Sequence, residues 1–80
     1  MELQIVYTED AVLLSKQSQL SWRELQATIP GYKASLGPWS QDEVVEYLSV
    51  EYVDLEPAAS VQVESFLQSQ DAIQELVFRA

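Results

Sequence analysis

The chain has 80 residues, of which 48% are hydrophobic, and a formal net charge of −9 from 13 acidic and 4 basic residues. A chain of this length forms one small domain around one core, so residues 1–80 are read as a single small acidic domain. It contains no cysteine and no histidine, which excludes disulfides and thiol nucleophiles and removes the commonest general base and zinc ligands. We therefore expect no metal, no cofactor and no catalysis, and a small enzyme is the most remote alternative.

The charges are distributed unevenly along the chain. Lys16, Arg23 and Lys33 all lie in the first half, and no basic residue occurs between Lys33 and Arg79. Nucleic acid and anionic membrane surfaces would be repelled by the second half, whereas a cationic protein surface would be attracted to it. The plainer explanation is that a net charge of this size keeps a small protein in solution.

The start of the chain, MELQIVYTED, lacks the basic segment and apolar run of a signal peptide. No run of 18 apolar residues is present, so no membrane-spanning segment is expected. The absence of cysteine fits a reducing compartment. These features predict a cytoplasmic protein.

An N-terminal strand is predicted over residues 2–8, where Leu3, Ile5 and Tyr7 alternate with the side chains of the other face. Residues 11–16 are predicted to return as the second strand of a hairpin. The alternative for this segment is a helix capped by Thr8, with two acidic residues in its first turn.

Two similar stretches, LSWREL at 20–25 and WSQDEV at 39–44, each place glutamate three residues after serine. This spacing is typical of a capping box, in which the serine side chain and the glutamate side chain each accept a backbone N–H at the start of a helix. The likeness ends after six residues, so it indicates two helix starts and not an internal repeat.

The first of these helices is predicted from Ser21 to about Ile29, where Pro30 and Gly31 end it. Leu20 and Leu25 occupy the positions of a hydrophobic staple. Trp22, Leu25 and Ile29 are predicted to form its apolar face.

The second helix is predicted over residues 40–49, capped by Ser40 and stapled by Trp39 and Val44. Residues 50–55 then alternate as a strand does, and a continued helix would place Val50 and Val53 among acidic residues. An extended segment is therefore predicted over 50–55.

The connection between these helices, GYKASLGPW, is predicted to be loop-rich, with Tyr32, Lys33 and Trp39 as aromatic and basic contact residues. Trp39 is interpreted mainly as staple and core. A DNA-binding helix-turn-helix is the alternative, but this motif has a turn of about three or four residues and needs basic residues on its second helix.

A C-terminal amphipathic helix is predicted over about 58–77, because Val63, Phe66 and Ile73 fall on one face. Leu76 and Phe78 lie away from the centre of that face, where they would be available to a partner. The predicted class is α+β, a small domain in which an N-terminal strand or hairpin packs on about three helices, and an all-α bundle is the alternative.

The functional hypothesis rests on the acidic segment 42–56, where carboxylates alternate with tyrosines and aliphatic residues. Such a surface fits an adaptor or inhibitor that binds a basic protein surface, with mimicry of nucleic acid as a narrower version. The competing interpretation is that the acidic residues are the solvated back of a core formed by the segment's apolar residues. Pairing of two copies into a homodimer is a further alternative. The predicted partner-binding residues are Asp42, Glu43, Glu46, Tyr47, Glu51, Tyr52, Asp54 and Glu56.

Overall fold

The computed structural model describes residues 2–17 and 21–79, which form a four-stranded antiparallel sheet and three helices. The strands are β1 (Glu2–Thr8), β2 (Val12–Ser15), β3 (Tyr32–Ser40) and β4 (Ile73–Glu75), in the spatial order β3-β1-β2-β4. The helices are α1 (Trp22–Thr28), α2 (Gln41–Glu51) and α3 (Ala59–Gln68). The α+β prediction is confirmed, and the all-α alternative is wrong because the sheet forms the centre of the molecule.

The N-terminal hairpin is confirmed. β1 and β2 pair antiparallel, with Ile5 opposite Leu14. Thr8 stabilises the turn, since its Oγ1 accepts the Ala11 N–H at 2.9 Å and its own N–H donates to the Ala11 carbonyl at 3.0 Å. The helical alternative for this segment is therefore wrong.

Both capping boxes are present. At α1 the Glu24 N–H donates to Ser21 Oγ at 3.3 Å and the Ser21 N–H to Glu24 Oε1 at 3.1 Å. At α2 the Ser40 and Glu43 pair repeats this arrangement, with distances of 3.2 and 3.1 Å. The predicted staple residue Leu20 lies outside the described residues.

The helices cover opposite faces of the sheet. α2 and α3 pack on one face and form the larger core cluster, whose buried members are Leu3, Ile5, Leu14, Val44, Leu48, Leu55, Ala59, Val63, Phe66 and Leu76. α1 covers the other face, where Leu25 and Ile29 pack with Val6. Trp22 was predicted to share that apolar face, but its side chain is 56% exposed, so this prediction is wrong.

The segment predicted as a loop between the first two helices is the edge strand β3. It pairs with β1 from Tyr32 to Ser40, with register shifts at both ends. Gly37 has φ +106°, and a Cβ added there would lie 2.8 Å from the Leu3 carbonyl oxygen. The connection between α1 and α2 is therefore a nine-residue strand and not the tight turn of a helix-turn-helix.

α2 continues beyond its predicted end, and the extended segment predicted over 50–55 is wrong. The Tyr52 N–H donates to the Leu48 carbonyl at 3.0 Å, which closes the last turn of the helix. A turn follows, and Leu55 then forms an isolated antiparallel bridge with Phe78.

The C-terminal helix is shorter than predicted, since α3 ends at Gln68 and residues 69–77 are not helical. Ser69 ends it, because its N–H and hydroxyl both donate to the Phe66 carbonyl, at 3.1 and 2.7 Å. β4 then pairs with β2. Leu76, predicted to be available to a partner, is only 2% exposed, so the prediction is wrong for this residue, whereas Phe78 is half-buried against Tyr52.

Gln62 fastens the C-terminal segment to α3. Its Nε2 donates to the carbonyls of Pro57 and Val77 at 2.7 and 2.8 Å, and its Oε1 accepts the Val77 N–H at 2.8 Å. The side chain is only 3% exposed, so these hydrogen bonds satisfy polar atoms that water does not reach.

Among the described residues, no helix combines the length and the apolar composition needed to cross a lipid bilayer.

Candidate functional site

One side of α2 carries acidic and apolar side chains that do not enter the core. Val44 and Leu48 point into the sheet and are buried. Residues 43, 46, 47 and 50 follow at spacings of three and four, which place them together along another side of the helix. This side faces solvent at the border of the sheet, above the end of β3.

A shallow groove of about 350 Å³ runs along this side of α2. We call it the acidic groove, and its lining residues are Trp39, Glu43, Glu46, Tyr47, Val50 and Glu51. Trp39 comes from β3 and the others from α2. Three carboxylates thus surround two aromatic rings and one valine that is 72% exposed.

The two aromatic rings of the groove are held in place by contacts with each other and with Tyr7. The Trp39 and Tyr47 rings meet edge to face, with centroids 5.3 Å apart and an interplanar angle of 61°. The hydroxyl groups of Tyr47 and Tyr7 are hydrogen-bonded at 2.8 Å. Burial raises the pKa of Tyr7 well above its usual value, and the neighbouring hydroxyl groups of Tyr47 and Tyr52 raise it further. The Tyr7 hydroxyl is neutral at ordinary pH, as tyrosine hydroxyls are, and its hydrogen bond holds Tyr47 in place.

The carboxylates of the groove have few partners within the protein. Glu43 Oε1 accepts the Ser40 N–H in the capping box. In residues 2–17 and 21–79, the structure gives the side chains of Glu46 and Glu51 no hydrogen bond and no salt bridge. Both residues are exposed, so their charges face water and are available to a cation.

All four basic residues are described, and none of them forms a salt bridge with a carboxylate of the groove. Lys16 Nζ donates to the Ser69 carbonyl at 2.6 Å and lies 4.5 Å from the Phe66 ring centroid. The Arg23 guanidinium lies 5.2 Å from the Trp22 ring centroid on α1, on the opposite face of the sheet. The negative charge around the groove is therefore not neutralised by a direct ion pair within the described part of the chain.

The structure brings together four of the eight residues predicted to bind a partner: Glu43, Glu46, Tyr47 and Glu51. Asp42 is exposed in the first turn of α2 but does not line the groove. The other three lie beyond the C-terminal end of α2, so segment 42–56 does not form one continuous surface.

Tyr52, Asp54 and Glu56 are engaged with the C-terminal segment. The Tyr52 ring packs edge to face on Phe78, with centroids 5.5 Å apart. The Asp54 carbonyl accepts the Arg79 N–H at 2.7 Å, and Glu56 Oε2 forms a salt bridge of 3.2 Å with Arg79 Nε. Tyr52 and Glu56 therefore use their side chains in contacts within the protein, whereas Asp54 takes part through its backbone carbonyl.

Two residues of the groove were not predicted as part of the site. Trp39 was interpreted mainly as core, and it does pack on the core with one side while lining the groove with another. Val50 was assigned to a strand because a helix would place it among acidic residues. In the structure Val50 does lie on α2 among acidic residues. Its spacing from Glu43, Glu46 and Tyr47 is the sequence signal that could have placed it in the groove.

The apolar residues of the same segment are part of the core. Val44, Leu48 and Leu55 are buried, and Val45 and Tyr52 are half-buried against them. The acidic residues are thus the solvated side of a core element, as the competing interpretation held, and this is compatible with a second role for those that line the groove.

Within the described ranges, no group of three or more acidic side chains is arranged to hold a metal ion. The chemistry that the groove offers is attraction of an organic cation, by carboxylates at its rim and by the faces of Trp39 and Tyr47. Comparisons with protein-family models, with curated proteins and with solved structures gave no significant match.

Proposed function

We propose that this protein is a non-catalytic interaction module, an adaptor or an inhibitor, that binds a basic protein surface through the acidic groove. The observation that carries the proposal is the combination of three carboxylates, free of salt bridges within the described residues, with two aromatic rings and an exposed valine. Interfaces commonly bury an aromatic or arginine anchor in such a setting and surround it with charged residues.

Charge complementarity supports a cationic partner. The chain has nine more acidic than basic residues, and the groove adds a local concentration of this charge. Electrostatic attraction of this kind raises the association rate and orients the partner, and it weakens as salt is added.

The alternatives have less support. α1 and α2 are separated by β3, so they do not form the helix pair of a DNA-binding helix-turn-helix. A nucleic-acid mimic would need carboxylates along an extended surface, whereas Asp54 and Glu56 lie beyond the end of α2, apart from the groove, and Glu56 forms a salt bridge with Arg79. No specific observation favours an enzyme. We place the binding in the cytoplasm on the sequence features alone.

The proposal is tested by calorimetric titration with a short peptide that alternates arginine and threonine. A peptide with glutamine in place of arginine is the uncharged reference. We expect the arginine peptide to bind at low salt, to weaken as salt rises, and to bind more tightly than the glutamine peptide.

A pair of double variants then locates the binding. Glu46→Gln/Glu51→Gln removes two charges from the groove, whereas Glu64→Gln/Glu75→Gln removes two exposed charges on α3 and β4. Each exposed ion pair contributes about 0.2–1 kcal/mol, so the groove variant should weaken binding about 2- to 30-fold. An equal effect of both variants would show that only the net charge matters, and the proposed site would be wrong.

A further inference from the structure

The outer edge of β3 is open. β3 is the first strand in the order β3-β1-β2-β4, so within the described residues only its inner edge is paired. None of its nine residues is buried, whereas four consecutive residues of β1 are. Ala34 is exposed even though its register partner Tyr7 lies on the face that α2 covers. The backbone of β3 is therefore accessible to another strand.

The open edge and the acidic groove lie at the same border of the molecule. Trp39 belongs to β3 and lines the groove, and its ring contacts Tyr47 of α2. α2 packs over β1 and β3, so its solvent-facing side lies above the outer edge of the sheet. A chain that runs along β3 would therefore pass beside the carboxylates of Glu43 and Glu46.

We propose that the partner presents an extended basic segment, which pairs with β3 as a fifth strand and places arginine or lysine side chains in the acidic groove. This inference rests on the proposed function and specifies the form of the ligand. In such strand addition, main-chain hydrogen bonds supply affinity and alternate side chains supply specificity.

The pairing must be short. Ala34, Ser35 and Leu36 pair regularly with β1, and register shifts occur on both sides of this stretch. Pro38 has no backbone N–H to donate near the other end. An added strand therefore has room for about three to five residues of regular pairing.

Lys33 determines where the positive charges of the ligand lie. It is exposed near the start of β3, and the structure gives it no salt bridge among the described residues. A base placed beside it would be repelled, so the basic residues of the ligand lie towards Trp39. A second copy of this chain is a poorer occupant, since each copy would bring nine excess negative charges to the contact.

The test uses the arginine–threonine peptide in two N-methylated forms, one methylated at the odd and one at the even backbone positions. Both keep every side-chain charge, but only one keeps the N–H groups that face β3. We expect one form to bind at least about tenfold more weakly than the parent, since the net loss for each missing hydrogen bond is about fivefold. The other form should stay within about twofold of the parent, and hydrogen exchange of the β3 amides should slow in the parent complex.

A second pair of variants tests whether the ligand passes beside Lys33. Lys33→Gln should strengthen binding of the parent peptide about twofold, because it removes a repulsive charge beside the added strand. Arg23→Gln removes the same charge from α1 on the opposite face and should change binding less.

The two proposals fail differently. If binding depends on Glu46 and Glu51 but both N-methylated forms bind like the parent, strand addition is wrong and the proposed function stands. If the parent peptide does not bind, or binds equally well without those carboxylates, the proposed function is wrong and strand addition falls with it. Formation of a dimer of this chain through β3, detected by light scattering, would also contradict the inference.

Discussion

Replacing Gln62 by alanine should destabilise the protein more than any ordinary surface change. The substitution removes three hydrogen bonds that join α3 to the residues before and after it, at 2.7, 2.8 and 2.8 Å. A buried polar group left without a partner costs about 1–3 kcal/mol. The two hydrogen bonds to Val77 are only partly buried, so water can replace part of what its backbone loses. We therefore expect a total loss of about 2–4 kcal/mol.

This loss is large for a chain of 80 residues, whose free energy of unfolding should be about 4–12 kcal/mol. A loss of this size should lower Tm by about 10–25 °C. The assay is urea unfolding followed by circular dichroism, with a thermal scan beside it. Gln62→Met keeps most of the side-chain volume and isolates the contribution of the hydrogen bonds.

Gln68→Ala is the matched control, because Gln68 is an exposed glutamine on the same helix. We expect it to change the free energy of unfolding by less than about 0.5 kcal/mol. If Gln62→Ala and Gln68→Ala have equal effects, the reasoning that Gln62 fastens the C-terminal segment to α3 is refuted.

Three further predictions concern the elements that shape the groove. Ser40→Ala should lower the free energy of unfolding by about 1 kcal/mol through loss of the cap of α2, and Ser49→Ala in the same helix should not, as urea titrations would show. Gly37→Ala should lower the free energy of unfolding by about 3 kcal/mol and Gly31→Ala by about 1 kcal/mol. Both glycines have a positive φ, but only at Gly37 would the added Cβ lie 2.8 Å from a backbone atom. Equal losses would contradict this reasoning. The pKa of Tyr7 is higher in the folded state than in the unfolded chain, where it is about 10. The stability that the neutral hydroxyl contributes is therefore fully present below about pH 10 and is lost progressively as the pH rises above that value. As the pH is raised from about 9 to 11, the urea midpoint should therefore fall more for the unaltered chain than for Tyr7→Phe. An equal fall in both chains would contradict the raised pKa of Tyr7.

The parts of the fold that follow from neighbouring residues could be predicted from the sequence. A capping box involves residues three positions apart, so Ser21 and Glu24 reveal a helix start without any knowledge of the rest of the fold. The N-terminal hairpin is nearly as local, because β1 and β2 are joined by a short turn.

The strands that were missed depend on partners far along the chain. β4 pairs with β2 across more than fifty residues, and β3 follows α1 before it pairs with β1. Ile73 happened to continue the helical spacing of α3, so periodicity alone favoured a longer helix there. The edge pairing that stabilises β4 instead exists only once the sheet has formed.

The same difference between local and long-range structure explains why only half of the predicted site residues line the groove. Glu43, Glu46, Tyr47 and Glu51 are held together by helical geometry, which their spacing indicates. Trp39 joins them only because β3 ends beside α2. Asp54 and Glu56 were grouped with them by nearness in sequence, but the turn after α2 directs that stretch towards Arg79.

The acidic groove as the binding site for a cation is the central claim, and Trp39 offers a direct readout of it. The chain has two tryptophans, and Trp22 is exposed on α1, away from the groove. In Trp22→Phe the emission therefore comes from Trp39 alone. Titration of this variant with the arginine–threonine peptide should shift the emission of Trp39, and adding Glu46→Gln/Glu51→Gln should weaken the response about 2- to 30-fold. Binding that is detected by calorimetry but leaves the emission of Trp39 unchanged would contradict the account.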